Sequence, residues 1–203
     1  MPATPKAIDF YFDFSSPYSY IASEWIAALA ARHGRTVSWK AILLGATFQA
    51  AELKSPVSYP IKRDYALHDF ERSARFASVP LSIPEPFPIA TQNAARVFWW
   101  LHDADPARAI GWAHHGLRAY FARGVNLNDP AALRGLAAEF DLDAGAAEAV
   151  WNDPVWKLRL KAENEAAIAA GVFGAPFFVV DGEPFWGQDR RPQIERWLEK
   201  GPF

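Results

Sequence analysis

Between residues 8 and 14 apolar and polar positions alternate. Ile8, Phe10, Phe12 and Phe14 fall on one side of a period of two, and Asp9, Tyr11 and Asp13 on the other. With β-branched and aromatic residues dominating, this pattern predicts a strand. Ser15-Ser16-Pro17 follows. A serine can accept from the free N–H groups of a helix start, and proline fits the first helical position without losing a hydrogen bond. A helix is therefore predicted from about Pro17 to His33, closed by Gly34. Thr36 to Leu44 again reads as a strand. Strand, helix and strand in so short a span have the size of a right-handed parallel βαβ unit.

Near the other end, Phe177 to Val180, the turn Asp181-Gly182 and Glu183 to Trp186 predict a tight hairpin, because Asp-Gly supplies the positive φ angles such a turn requires. A last helix is predicted over about Arg190 to Glu199, with Ile194, Trp197 and Leu198 on one stripe. Between these ends the period lengthens. Ala94, Val97, Phe98 and Leu101 recur at helical spacing, as do Ile110, Ala113, His114 and Leu117, then Leu133, Leu136, Ala137 and Phe140. Asp129-Pro130 repeats the cap-and-proline start, and Val155, Leu158, Ala162, Ala166 and Ala169 mark a long helix stopped by Gly171. The order is βαβ, a helical block, then αββα. No internal repeat or Gly/Ser-rich linker intervenes, so the block is expected to pack on the sheet.

Composition narrows the function. With 51% hydrophobic and 22% charged residues over 203 positions, the chain is core-forming rather than disordered. Twenty-one basic against 23 acidic residues leave a net charge of −2. Neither sign is blocked into a run, so no nucleic acid or anionic lipid partner is expected. The least polar stretch, Ala166 to Val180, is broken by Gly171, Gly174 and Pro176 and falls short of the ~18–20 apolar residues of a spanning helix. Met1 to Lys6 carries no signal-like pattern, and a cytoplasmic protein is expected. There is no cysteine, which removes disulfides, thiolate metal sites and any redox pair of the chain's own. His114 and His115 are adjacent and do not face each other as an i, i+4 zinc pair would; no metal is expected.

Three segments can carry chemistry. The turn Phe14 to Tyr20 places Ser16 at a helix start just beyond a strand's carboxyl end, where helix N–H groups and the dipole favour an anion; simple capping is the bland reading. Gly171 to Phe177 contains Ala175-Pro176, otherwise a helix stop and turn. Phe185 to Pro192 contains Asp189, which either caps the last helix or accepts from a ligand ammonium group. Asp13, near the end of an apolar strand, reads as a buried acid, with a raised pKa or a hydrogen-bonded structural role.

Phe10 to Tyr20, Gly171 to Pro176 and Trp186-Gly187-Gln188-Asp189-Arg190, in this order and spacing, resemble the 2-hydroxychromene-2-carboxylate isomerase family, relatives of kappa-class glutathione transferases in the DsbA-like thioredoxin superfamily. The resemblance spans essentially the whole chain. It implies an α/β fold, a thioredoxin-like βαβ…ββα unit (residues 1–60 and 157–203) carrying an inserted all-helical domain (61–156). It implies glutathione as cofactor, with Ser16 catalytic through a hydrogen bond to its thiolate. Ala175, Pro176, Trp186, Gly187, Gln188, Asp189 and Lys62 would bind the tripeptide, and Lys62, Arg63, Phe87 and Trp99 the substrate. Lys40 is a weaker candidate cation, and Phe48 and Trp100 are further candidate walls. The family's lysine segment is matched by Lys62-Arg63-Asp64-Tyr65, except that Arg63 replaces glycine. Two family asparagines are missing, one from Ala51 to Pro56 and one at Ala90.

The implied reaction is glutathione thiolate addition to ring-opened 2-hydroxychromene-2-carboxylate, bond rotation, and elimination to trans-o-hydroxybenzylidenepyruvate. The implied partner is a small aromatic carboxylate, and the implied assembly a homodimer. Two alternatives remain open: a kappa-like transferase or peroxidase that consumes glutathione, and a non-catalytic thioredoxin-like scaffold binding a peptide beside Pro176.

Overall fold

Asp13 ends the first strand. In the computed structural model, which describes residues 7–203, β1 spans Ile8–Phe12 and stops two residues short of the alternating pattern. The carboxylate of Asp13 is turned inward, where it accepts from Ser15 N–H at 2.7 Å and from Leu44 N–H at 2.6 Å. The same bond shortens the second strand. β2 is Val37–Ala41, and Leu44 already opens a short helix, α2 (Leu44–Ala50). The expectation about Met1 to Lys6 lies outside the described residues.

The hairpin forms as expected, with β3 at Phe177–Val180 and β4 at Glu183–Trp186. Asp181 and Gly182 hold the positive φ angles of the turn, 56° and 97°. The sheet order is β2-β1-β3-β4. β1 runs parallel to β2, pairing Ile8 with Val37 through Phe12 with Ala41. β3 runs antiparallel to β1, Phe10 facing Phe178, and β4 antiparallel to β3. With α1 (Pro17–Arg32) between the parallel strands and α9 (Arg191–Lys200) after the hairpin, this is a thioredoxin-like fold.

Between β2 and β3 the chain is helical: α2, α3 (Pro60–Phe76), α4 (Gln92–Ala104), α5 (Pro106–Arg123), α6 (Pro130–Glu139), α7 (Ala144–Asn152) and α8 (Pro154–Ala169). Asp105, Asp129, Asp143 and Asp153 each cap the helix that follows by accepting from its first-turn N–H groups. Asp189 does not cap α9. It lies in a 3-10 turn, Gln188–Arg190, and its carboxylate pairs with Arg190 at 2.7 Å.

The helices pack on the sheet through aromatic rings. Phe10 stacks on Phe178 at 5.3 Å, and Phe12 meets Phe98 of α4 edge-on at 5.3 Å. α5 approaches so closely that a Cβ at Gly116 would lie 2.8 Å from the Phe14 ring. Gly116→Ala should therefore destabilise by about 1–2 kcal/mol even though alanine is the better helix former. At Gly135 of α6 a Cβ meets nothing within 4 Å, and alanine there should be neutral or stabilising. Urea unfolding of the two variants measures the contrast. Among the described residues no helix is long and apolar enough to cross a membrane.

Candidate functional site

The corner where β1 feeds α1 is held from several sides. Asp13 accepts from Ser15 N–H, from Ser15 Oγ at 2.9 Å, from Thr91 Oγ1 at 2.8 Å and from Leu44 N–H, so one carboxylate ties the turn to the starts of α2 and α4. Burial raises its pKa, and these hydrogen bonds oppose that rise. Ser16 caps α1. Its Oγ accepts from Ser19 N–H at 3.1 Å and donates to the carbonyl of Ala175, also at 3.1 Å. The Ala175–Pro176 peptide is cis. Pro17 has no N–H, and among the described residues the N–H of Tyr18 takes no intramolecular acceptor. A helix start with a free donor and a hydroxyl is electropositive.

This corner is one end of a 710 Å³ cavity. One side is α3, which presents Tyr65, Asp69 and Ser73, four residues apart and so on one stripe. The phenol of Tyr18 donates to Asp69, and Arg72 pairs with the same carboxylate. Burial raises the pKa of Tyr18, reinforced by the Asp69 hydrogen bond. Burial would raise Asp69 too, but the bonds from Tyr18 and Arg72 outweigh it and hold the carboxyl below its ordinary value. Apolar walls come from Phe48, Phe70, Phe87, Pro88 and Ile89. The remaining side is Trp186, Gly187, Gln188, Asp189 and Arg190. Gly174 makes room for Trp186, since a Cβ there would lie 2.6 Å from the indole Nε1.

Of the residues singled out in the sequence, Ser16, Ala175, Pro176, Trp186, Gly187, Gln188, Asp189, Phe48 and Phe87 line this single cavity. Lys62 and Arg63 are not part of its wall. Both stand exposed on the first turn of α3, the Lys62 ammonium 5.0 Å from the centre of the Tyr59 ring. Trp99 is not a wall either. It is buried in the core, its indole N–H donating to Ala41 O at 3.0 Å and its ring covered by Arg159 at 4.8 Å. Trp100 packs against the core and Lys40 pairs with Asp9 at 3.5 Å, both away from the cavity. Sequence reasoning missed Asp69, Phe70 and Ser73, and gave Tyr18, Tyr65 and Arg190 no role of their own. His114 faces Glu24 and His115 faces Glu139. Elsewhere His33, Glu195 and Glu199 bring one ligand-type atom each within 4.8 Å of one another, with Arg32 already bound to Glu195.

Comparisons with known proteins agree with this fold. Residues 7–199 match the family model of the DSBA-like thioredoxin domain. A 2-hydroxychromene-2-carboxylate isomerase of Sphingobium xenophagum is 33% identical over 196 residues, covering 95% of this chain and 98% of that protein. Glutathione S-transferase kappa 1 of Caenorhabditis elegans is 38% identical over 88 residues, covering 43% of this chain and 38% of that one. A solved 2-hydroxychromene-2-carboxylate isomerase superposes with a TM-score of 0.86 at 26% identity, covering 96% of this chain and 95% of the other.

Proposed function

Because the chain belongs to the DSBA-like thioredoxin domain family, and within it to the 2-hydroxychromene-2-carboxylate isomerase family, we propose that it is a glutathione-dependent isomerase acting on 2-hydroxychromene-2-carboxylate or a related aromatic carboxylate to give the trans-benzylidenepyruvate. One observation carries the reading: Ser16 sits at the start of α1, against the carbonyl that precedes cis-Pro176, in a chain without cysteine. A capping hydroxyl at a helix start supports the activation of a thiol that the chain does not itself carry.

The residues fit a tripeptide thiol. Ala175, held in place by the cis bond to Pro176, offers backbone at the edge of the cavity, where an extended peptide can pair like an added strand. Gln188 and Asp189 line the cavity together, and the Asp189 carboxylate can accept from the ammonium of a γ-glutamyl end. The 710 Å³ volume has room for a second, aromatic molecule. Bound glutathione supplies a sulfur nucleophile that adds to the substrate and is later released, so that it is not consumed.

The chain's own part is electrostatic and positional. A free thiol has a pKa near 8.5 and is mostly neutral at neutral pH. The Tyr18 N–H, the dipole of α1 and the Ser16 hydroxyl all favour the anion at the same corner. Phe70 and Phe87 flank the substrate ring and exclude water. In the described wall Arg190 is the one cation available to a substrate carboxylate.

Glutathione should bind the wild-type protein with a measurable heat, and its thiol pKa, read from thiolate ultraviolet absorbance, should fall from about 8.5 to 7 or below. No heat of binding, or an unshifted thiol, overturns the reading. The kappa-like relative supports a second reading, a transferase that consumes glutathione. A thiol assay separates the two: glutathione stays constant during turnover of a chromene carboxylate under the first, and falls one for one with a chlorinated arene under the second.

A further inference from the structure

The geometry points to Tyr18 and Asp69 as the pair that reads the hydroxyl group of the substrate. This rests on the isomerase reading above and deepens it.

A phenol has one proton, and that of Tyr18 is committed to Asp69. Both residues line the cavity, so Tyr18 offers it only oxygen lone pairs. Asp69 also receives Arg72, and Ser73 Oγ approaches it at 3.5 Å. The guanidinium supplies the counter-charge that keeps the carboxylate ionised, which agrees with its lowered pKa.

The α3 side of the cavity therefore presents acceptors, the Tyr18 oxygen and the Asp69 carboxylate whose charge Arg72 balances. A substrate carboxylate placed there would meet a carboxylate and a lone pair, and both contacts are repulsive. A neutral hydroxyl is complementary. It can donate to Tyr18 Oη, whose own proton goes on to Asp69, and such a chain of hydrogen bonds polarises each member. Tyr18 is two residues from Ser16 and its ring meets Phe70 at 5.0 Å, so the hydroxyl would be read beside the apolar walls and the thiol-activating corner. The carboxylate of the same molecule is left to the Arg190 side. The wall thus fixes which way round a hydroxylated aromatic acid enters, and a molecule lacking the hydroxyl leaves a desolvated acceptor unpaired.

The test compares trans-o-hydroxybenzylidenepyruvate with trans-benzylidenepyruvate, which lacks the hydroxyl, binding being followed by quenching of tryptophan fluorescence. Wild-type protein should prefer the hydroxylated ligand by about 10- to 100-fold. Tyr18→Phe keeps the ring against Phe70 and removes the oxygen. It should cut that preference at least tenfold, while the affinity for the deoxy ligand and for glutathione stays within about twofold. Asp69→Asn, which keeps the shape but not the charge, should cut it by a smaller factor. Equal binding of the two ligands by wild type, or an undiminished preference in a folded Tyr18→Phe variant, overturns the assignment. Failure of the isomerase reading itself would show in the separate glutathione titration, which the Tyr18 variant leaves untouched.

Discussion

Ser16→Ala should lower turnover by about 10²- to 10³-fold, the range seen when one preorganised donor to a developing anion is removed. The hydroxyl has two duties in the structure, and they separate cleanly. Accepting from Ser19 N–H caps α1, and its loss costs about 1 kcal/mol of stability. In the resting protein the hydroxyl donates to the Ala175 carbonyl; on the isomerase reading that proton turns to the thiolate of bound glutathione, and this second duty carries the rate. The variant should therefore fold, bind glutathione within about tenfold of wild type through Ala175, Gln188 and Asp189, and show a bound thiol pKa raised back toward about 8.5. Steady-state kinetics and the thiolate titration measure both. A folded alanine variant retaining activity within tenfold of wild type would remove Ser16 from the mechanism.

The second large effect is on stability. Asp13→Asn should destabilise by about 2–4 kcal/mol, read from urea unfolding. Asp13 accepts from four donors, two on Ser15, one on Thr91 and one on Leu44. Ser15 N–H, Ser15 Oγ and Thr91 Oγ1 all reach Oδ1 and only Leu44 N–H reaches Oδ2, so a carboxamide that keeps its oxygen on the first three turns its NH₂ against Leu44 N–H, and two donors then face each other in a buried corner. The wild-type carboxyl also makes stability depend on pH. Burial raises its native pKa above the unfolded value near 4, so the native state binds the proton more tightly. Its contribution is largest below the unfolded pKa and declines as pH rises through the native one. The asparagine variant should lack that segment of the stability profile. Because Ser15 and Leu44 both line the cavity, loss of the tie should also weaken ligand binding.

Elements whose chemistry is local were legible in the sequence. The hairpin around Asp181-Gly182 and the start of α1 at Ser16-Pro17 appear where their turn and cap residues place them, since a positive φ or an unpaired N–H is decided within four residues. α3 was not read as a helix, for a physical reason. Its buried stripe is Ala66, Phe70 and Ala74, two of them too small to mark a period, while Ile61 and Phe76 are 91% and 92% exposed. The site divides in the same way. Ser16, Ala175-Pro176 and Trp186 to Asp189 are short contiguous motifs, whereas Tyr18 and Asp69 are 51 residues apart and meet only through the placement of α3. Trp99 shows the converse. It is buried and Trp100 packs against the core, so an aromatic pair that suggested the walls of a pocket is interior packing.

The bond from Ser16 Oγ to the Ala175 carbonyl has a selective consequence. An incoming sulfur must compete for a proton already in use, and the abandoned carbonyl, in a residue only 8% exposed, then needs a new donor. A simple alkyl mercaptan brings none and would strand it. A peptide thiol carries an amide beside its sulfur, and so can replace what it displaces. On the glutathione reading, this exchange favours a peptide thiol over a plain alkyl mercaptan.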